Sequence, residues 1–231
     1  GEAGMKRSRV SEIRREADSY RRSCGYVMPP FAYLSPNEMK ARRADLSTIV
    51  ERRLGWDVTD YGKGDFDRMG LFLFTTRNGD AADLKAGGGM LYAEKIMISR
   101  HDQYSPMHRH IVKAEDIINR GGAKLAIQMH ESAPDGSVDE SAEVTVVTDG
   151  ITRRLPAGGV LMLEPGESVT LLPGNWHAFW GEGGDVLIGE VSTVNDDLTD
   201  NVFREPLGRF SEIEEDEDPM LLLVSDYDTW L

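Results

Sequence analysis

The sequence predicts a mainly β protein, a small barrel or sandwich preceded by a helical extension. Three observations carry this. Beyond residue 65, short apolar runs recur at turn-bounded intervals. Gly and Pro punctuate the gaps between them. No helical pattern intervenes, and many short strands without helices between them argue for a sandwich or a closed barrel. The expected organisation is one structural domain, with residues 1–64 forming an N-terminal helical extension packed on a barrel of residues 65–231.

Each element has its own reason. Gly1 to Gly4, ahead of Met5, read as residues added before a native start. Residues 6–23 are rich in Lys, Arg and Glu, with Val10, Ile13, Ala17 and Tyr20 at helical spacing, which predicts an amphipathic helix with a solvated basic face. Gly25, Pro29 and Pro30 make 24–34 a connector. Ser35-Pro36-Asn37-Glu38 is a helix start: Ser35 can cap, Pro36 suits the first helical position and Glu38 can close a capping box. Leu46, Ile49, Val50 and Leu54 continue the helical period, and Gly55 is expected to end it as a left-handed cap. Strands are expected at Leu71–Thr75, Leu91–Ile98, Leu125–Met129, Val144–Val147, Val160–Leu163, Val169–Leu172 and Val186–Val191. Asn78-Gly79 and Asp149-Gly150 suit two-residue hairpin turns. The acidic run at 212–218 precedes one more strand candidate, Met220–Val224.

Composition narrows the function classes. The 231-residue chain carries 26 Lys+Arg against 40 Asp+Glu, a formal net charge of −14. Such a chain is a poor general binder of phosphate backbones and is weakly attracted to anionic membranes. Nucleic-acid and membrane partners are not expected. The single cysteine, Cys24, cannot form an internal disulfide, which suits a reducing compartment. No stretch approaches the roughly 20 apolar residues of a membrane span, and the charged N-terminus lacks the apolar core of a signal peptide. A cytoplasmic location is expected.

The chemistry concentrates in two segments. Residues 106–122 read Pro-Met-His-Arg-His-Ile-Val-Lys-Ala-Glu-Asp-Ile-Ile-Asn-Arg-Gly-Gly. On a strand, His108 and His110 point to the same side. Glu115 has the wrong parity for that straight strand, but a turn near Val112–Ala114 would return its carboxylate. Pro173-Gly174-Asn175-Trp176-His177 puts another histidine directly after a Gly/Pro turn, at a strand start. The combination His-x-His-x4-Glu-x6-Gly followed by Pro-Gly-x-x-His resembles the two motifs of the cupin superfamily. It implies a double-stranded β-helix, or jelly-roll, barrel. Asp102 and Gly181 stand where the superfamily pattern has Gly and Asn, and neither is a ligand position. The expected ligand set for one divalent metal is His108, His110, Glu115 and His177. A mixed nitrogen and oxygen set suits Mn²⁺, Fe²⁺, Co²⁺, Ni²⁺ or Zn²⁺, and the absence of thiolate argues against a closed structural zinc site.

Longer strings carry a closer resemblance. Residues 107–122, Trp-His-Ala-Phe-Trp-Gly-Glu (176–182), Gly-Glu-Val-Ser-Thr-Val-Asn-Asp-Asp-Leu-Thr-Asp-Asn (189–201), Tyr-Ala-Glu-Lys (92–95) and Arg-Phe-Ser-Glu-Ile-Glu-Glu-Asp-Glu (209–217) resemble the cupin-type D-lyxose isomerase family. The resemblance spans roughly residues 20–230. It implies helices ahead of the barrel, a divalent metal that is usually manganese, and interconversion of D-lyxose with D-xylulose, often with D-mannose and D-fructose as a second pair. It also implies a homodimer.

The same resemblance puts an active-site lysine at Lys95 and a catalytic glutamate in the late acidic segment. Glu212, Glu214 and Glu215 qualify by position; Glu212 is favoured, with Glu215 second. Lys113, between ligands, is expected to line the pocket. Gln128 shares a strand face with His130, opposite Leu125, Ile127 and Met129, and that face is expected to look into the barrel. Glu190 alternates with apolar Val191 and is a further substrate contact. Asp197 belongs to a cluster with Asn195, Asp196, Asp200 and Asn201, read either as turn chemistry or as substrate binding. Three rivals stay open: a metal cupin dioxygenase, a non-catalytic sugar-binding cupin and a phosphosugar isomerase. Arg109, Arg120, Arg204 and Arg209 could serve the last, without forming a recognisable phosphate motif.

Overall fold

A computed structural model describes residues 4–231, so most of the Gly1 to Gly4 expectation lies outside the described residues. A two-residue strand β1 (Met5–Lys6) leads into helix α1 (Arg7–Ser23). Short helices α2 (Pro36–Ala41) and α3 (Ser47–Glu51) follow. Then come β2 (Gly55–Thr59), β3 (Leu71–Asn78), α4 (Ala81–Ala86), β4 (Tyr92–Ser99), β5 (Ser105–His110) and β6 (Glu115–His130). Next are β7 (Val144–Thr148), β8 (Ile151–Leu155), β9 (Val160–Leu163), β10 (Ser168–Leu171) and β11 (Trp176–Thr193). The chain ends with β12 (Asn201–Phe203), β13 (Ile213–Glu214) and the single turn α5 (Tyr227–Trp230).

The mainly β expectation holds. One 11-stranded sheet runs β2-β3-β4-β11-β6-β10-β7-β8, with β5, β12 and β9 attached at its sides, and all its ladders are antiparallel. Two long strands hold it together. β6 and β11 pair from Trp176 opposite His130 to Ser192 opposite Glu115, with the register broken between Glu182 and Val186. Glycines on both strands make that bend. Gly122 has φ +96°, and a Cβ there would collide with the Tyr20 hydroxyl and the Asp185 carbonyl. The bend lets the first half of β11 pair with β5 and the second half with β4. Both metal-motif segments therefore share one ladder.

Alternation then sorts the side chains. Leu71, Leu73, Met97, Leu125, Ile127, Met129, Phe179 and Ile188 belong to the core inside the barrel. Their neighbours Phe72, Phe74, Ile96, Ile98 and Leu187 pack outward beneath Val10, Ile13 and Ala17 of α1. Covering one wall with a helix makes strands β3 and β4 apolar on both faces, which blurs period-2 patterning.

Several local expectations are corrected. The Ser35 capping box forms, with its side chain accepting from Glu38 N, but the helix does not run on to Leu54. It breaks at Arg42 into a 3-10 turn and α3. Gly55 is not the cap, since Arg53 takes the left-handed conformation (φ 56°) and Gly55 opens β2. The main sheet thus begins inside the stretch expected to be helical. Asp149-Gly150 makes its two-residue hairpin, whereas Asn78-Gly79 leads into α4. Met220–Val224 is no strand; it makes a single bridge, Leu223 to Trp56, and then a 3-10 turn. The basic face of α1 is partly buried: Arg7 pairs with Glu215 and Asp226, and Arg21 with Asp18.

Candidate active site

The site begins with register. His108 on β5 and His177 on β11 are direct cross-strand partners, and His110 lies two residues on, facing the same side. The ring centroids of His108 and His177 are 4.2 Å apart, and His110 is 5.1 Å from the first and 5.6 Å from the second. One ring nitrogen from each lies within 4.8 Å of the others. Nδ1 of His108 meets the Pro106 carbonyl at 2.8 Å, and Nδ1 of His177 meets the Asn175 carbonyl at 3.0 Å. A carbonyl can only accept, so each Nδ1 carries the proton and each Nε2 keeps its lone pair for the centre.

Glu115 completes the convergence. Its Oε1 is 3.2 Å from Nε2 of both His110 and His177. For His177 these are two acceptors meeting at one place, which a cation resolves. The donor set of three imidazoles and one carboxylate therefore fits a divalent metal. Burial, followed by the nearby His177 and His110, holds His108 well below its ordinary value, so it stays neutral as a ligand must. Burial opposes ionisation of Glu115, but Lys113 and His110 outweigh it and hold the carboxyl well below the usual range.

The turn that returns Glu115 is clamped from a distance. Asp200 is buried, and its Oδ1 accepts from the backbone N–H of Ile111 and Val112 at 3.0 and 2.8 Å. Its Oδ2 accepts from Lys113 N at 3.0 Å. These charge-assisted bonds fix the 111–114 turn that β5 and β6 share. Asp200→Ala is therefore expected to weaken metal affinity by about 10–100-fold, as loss of an outer-shell partner does, with the fold retained. Competition against a chelator measures this, and unchanged affinity would contradict it.

Beyond the three histidines and Glu115 runs a buried row of alternating charge. Glu190 on β11 faces Lys95 on β4 as a direct partner. Glu190 Oε2 lies 3.2 Å from Lys95 Nζ and 3.4 Å from Lys113 Nζ. Lys113 Nζ is also 3.2 Å from Glu115 Oε2. Asn195 Oδ1 accepts from both lysines, at 3.1 Å and 2.8 Å, while its backbone exchanges two 2.9 Å bonds with the Asn78 side chain. Asp197 continues the row, 4.0 Å from Lys95 and 3.2 Å from Arg209, which also reaches Asp57 at 3.0 Å. Burial, then the charge of Glu115, pushes the Glu190 carboxyl up, against the pull of the lysines. Burial opposes ionisation of Asp197 too, but Lys95 and Arg209 outweigh it and hold that carboxyl down.

The structure brings His108, His110, Glu115, His177, Lys95, Lys113, Glu190 and Asp197 to one cavity. It does not bring Glu212, Glu215 or Gln128 there. Glu212 is exposed, and its carbonyl accepts from Met5 N at 2.8 Å. Glu215 pairs with Arg7 at 2.6 Å. The acidic run is tied to β1 through the parallel β1–β13 pair, outside the barrel. Gln128 does share a face with His130, but the inward positions of β6 belong to Leu125, Ile127 and Met129. Its side chain donates to the Gly158 carbonyl instead. Asp57 and Asn78 enter the site without a sequence signal, and Arg209, weighed in the sequence only for a phosphate, enters as the partner of two carboxylates. They come from separate segments, and only the fold sets them together.

Residues 5–227 match the family model described as D-lyxose isomerase. The chain belongs to the D-lyxose isomerase family. Two relatives named D-lyxose/D-mannose isomerase, from Serratia proteamaculans and Escherichia coli O157:H7, are 46% and 43% identical over 226 residues. Each match covers 96% of this chain and 98% of the relative. Among solved structures, the L-ribose isomerase of Cellulomonas parahominis matches with a TM-score of 0.59 at 18% identity, over 93% of this chain and 100% of that one. A variant L-ribose isomerase from Acinetobacter sp. DL28, solved with L-ribose, matches with a TM-score of 0.59 at 13% identity, over 91% and 98% of the two chains. These structural likenesses establish the cupin fold. Family membership makes this chain an aldose–ketose isomerase.

Proposed function

We propose that this D-lyxose isomerase family member interconverts D-lyxose and D-xylulose, with D-mannose and D-fructose as a second pair, using one divalent metal at His108, His110, Glu115 and His177. The observation that carries this reading is Glu190, a buried carboxylate set between Lys95 and Lys113 beside the histidine cluster. Isomerisation moves the C2 hydrogen to C1 and the O2 proton to O1. Glu190 is the group placed to take the C2 proton and return it to C1. Burial favours its neutral form, which suits a carrier that must hold the proton between the two steps. Lys95 and Lys113 present ammonium donors where negative charge develops on the sugar oxygens. Asn195 fixes both ammonium groups. When bound, the metal supplies Lewis-acid polarisation of the sugar's carbonyl end; Mn²⁺ is the ion we expect.

The partner is a neutral sugar, and the family resemblance supports a homodimer. Among the described residues, no helix is long and apolar enough to cross a membrane; a cytoplasmic enzyme fits that. The test is product analysis. Mn²⁺-loaded protein incubated with D-lyxose should yield D-xylulose without dioxygen uptake. Absence of ketose from both D-lyxose and D-mannose would overturn the reading, and sugar-dependent dioxygen uptake would favour an oxygenase.

A further inference from the structure

Among the described residues, Arg209 is the one cation of the cavity whose position the metal and proton chemistry leave unexplained. It lies in the connection between β12 and β13, and its side chain is only 10% exposed. Both contacts to carboxylates use Nη2, to Asp57 at 3.0 Å and to Asp197 at 3.2 Å. The guanidinium sits 4.9 Å over the Phe210 ring, and the Arg209 carbonyl accepts from buried Thr59 Oγ1 at 2.6 Å. The side chain is therefore held in orientation. Yet Nη1 is buried without a hydrogen-bond partner among the described residues. A guanidinium is a planar fork, so donors committed at Nη2 leave those of Nη1 directed elsewhere. Buried donors are almost always paired, and Arg209 lines the cavity that holds the histidines and Glu190.

We infer that Arg209 is a positioning and specificity residue, whose Nη1 donates to a substrate hydroxyl at the end of the sugar remote from C1 and C2. This rests on the isomerase reading and deepens it. The contact row orders the cavity: Glu190 to Lys95, Lys95 to Asp197, Asp197 to Arg209. The reacting carbons lie at the Glu190 end, so Arg209 faces the chain terminus, the O5 hydroxyl of a pentose. Two carboxylates around one guanidinium leave that end without net positive charge. The acceptor it suits is thus a neutral hydroxyl and not a phosphate. Asp57 and Asp197 also line an outer hollow of about 300 Å³, whereas the metal cavity measures about 40 Å³. The carboxylates that hold Nη2 therefore have room behind them as a sugar enters.

The experiment compares D-lyxose with 5-deoxy-D-lyxose on the Mn²⁺-loaded enzyme, and then on Arg209→Met and Arg209→Lys. A site built to bond a hydroxyl rejects the analogue lacking it, so the unaltered enzyme should prefer D-lyxose by about 100-fold or more in kcat/KM. Arg209→Met should reduce that preference to within about threefold of unity, mainly by raising KM for D-lyxose, and Arg209→Lys should restore part of it. Equal kcat/KM for the two sugars on the unaltered enzyme overturns the inference without any variant. So does a preference that survives in Arg209→Met. If the unaltered enzyme turns over neither sugar, the isomerase reading falls and this inference with it.

Discussion

Glu190→Gln is expected to lower kcat for D-lyxose isomerisation by about 10²–10⁴-fold, the usual contribution of a positioned general base, while metal content stays unchanged. Glutamine preserves the shape of the side chain and can still accept from Lys95 and Lys113, but it cannot carry the proton. Its neighbours make the point sharper. Glu115 lies against the histidines, its Oε1 3.2 Å from Nε2 of both His110 and His177, and so is committed to that cluster. Asp197 is held down by Lys95 and Arg209 and so is a weak base. Steady-state kinetics with metal analysis on the same samples measures the effect. Retention of activity within tenfold would remove Glu190 from the proton transfer. Glu212→Gln and Glu215→Gln serve as controls. Both lie outside the cavity and should leave kcat near that of the unaltered enzyme, with Glu215→Gln acting on stability through Arg7.

His177→Ala is expected to abolish metal retention and turnover together. His177 holds the centre from both directions: it is the cross-strand partner of His108, and its Nε2 touches Glu115 Oε1. Losing an outer-shell partner costs about 10–100-fold in metal affinity, so losing a ligand should exceed that range. The paired readout matters. Calorimetric Mn²⁺ titration should show binding weakened by more than about 100-fold, and activity should fall in parallel at low metal. Tight binding with activity lost would assign His177 to the chemistry and not to the metal. Tight binding with activity kept would contradict the site altogether.

How legible was this site before folding? The candidate metal-binding side chains are legible because strand parity and turn spacing are local: His108 and His110 share a face, and a turn after His110 brings Glu115 back. The barrel was legible from its punctuation. Lys95 was not readable by alternation, since Ile96 and Ile98 are buried under α1 while Met97 faces the core. Gln128 shares a strand face with His130 as expected, but that face looks away from the barrel interior, because period 2 gives parity and not direction. The acidic run at 212–218 lies outside the cavity because a parallel pairing with residues 5–6 draws it there, and no local pattern announces that pairing. Glu190 reads in the sequence as a substrate contact, and the ladder opposite Lys95 sets it in the row of charge. Arg7 of α1 reads as solvated because its partners, Glu215 and Asp226, lie some two hundred positions away.

On the proposed function, one metal at the histidine cluster enables sugar isomerisation in the cavity beside it. The most direct test strips the protein of metal, adds Mn²⁺ back stepwise and follows D-xylulose formation from D-lyxose. Negligible turnover is expected in the stripped protein, with recovery that saturates at one Mn²⁺ per chain. Turnover undiminished by complete metal removal, or none after full reloading, would contradict it.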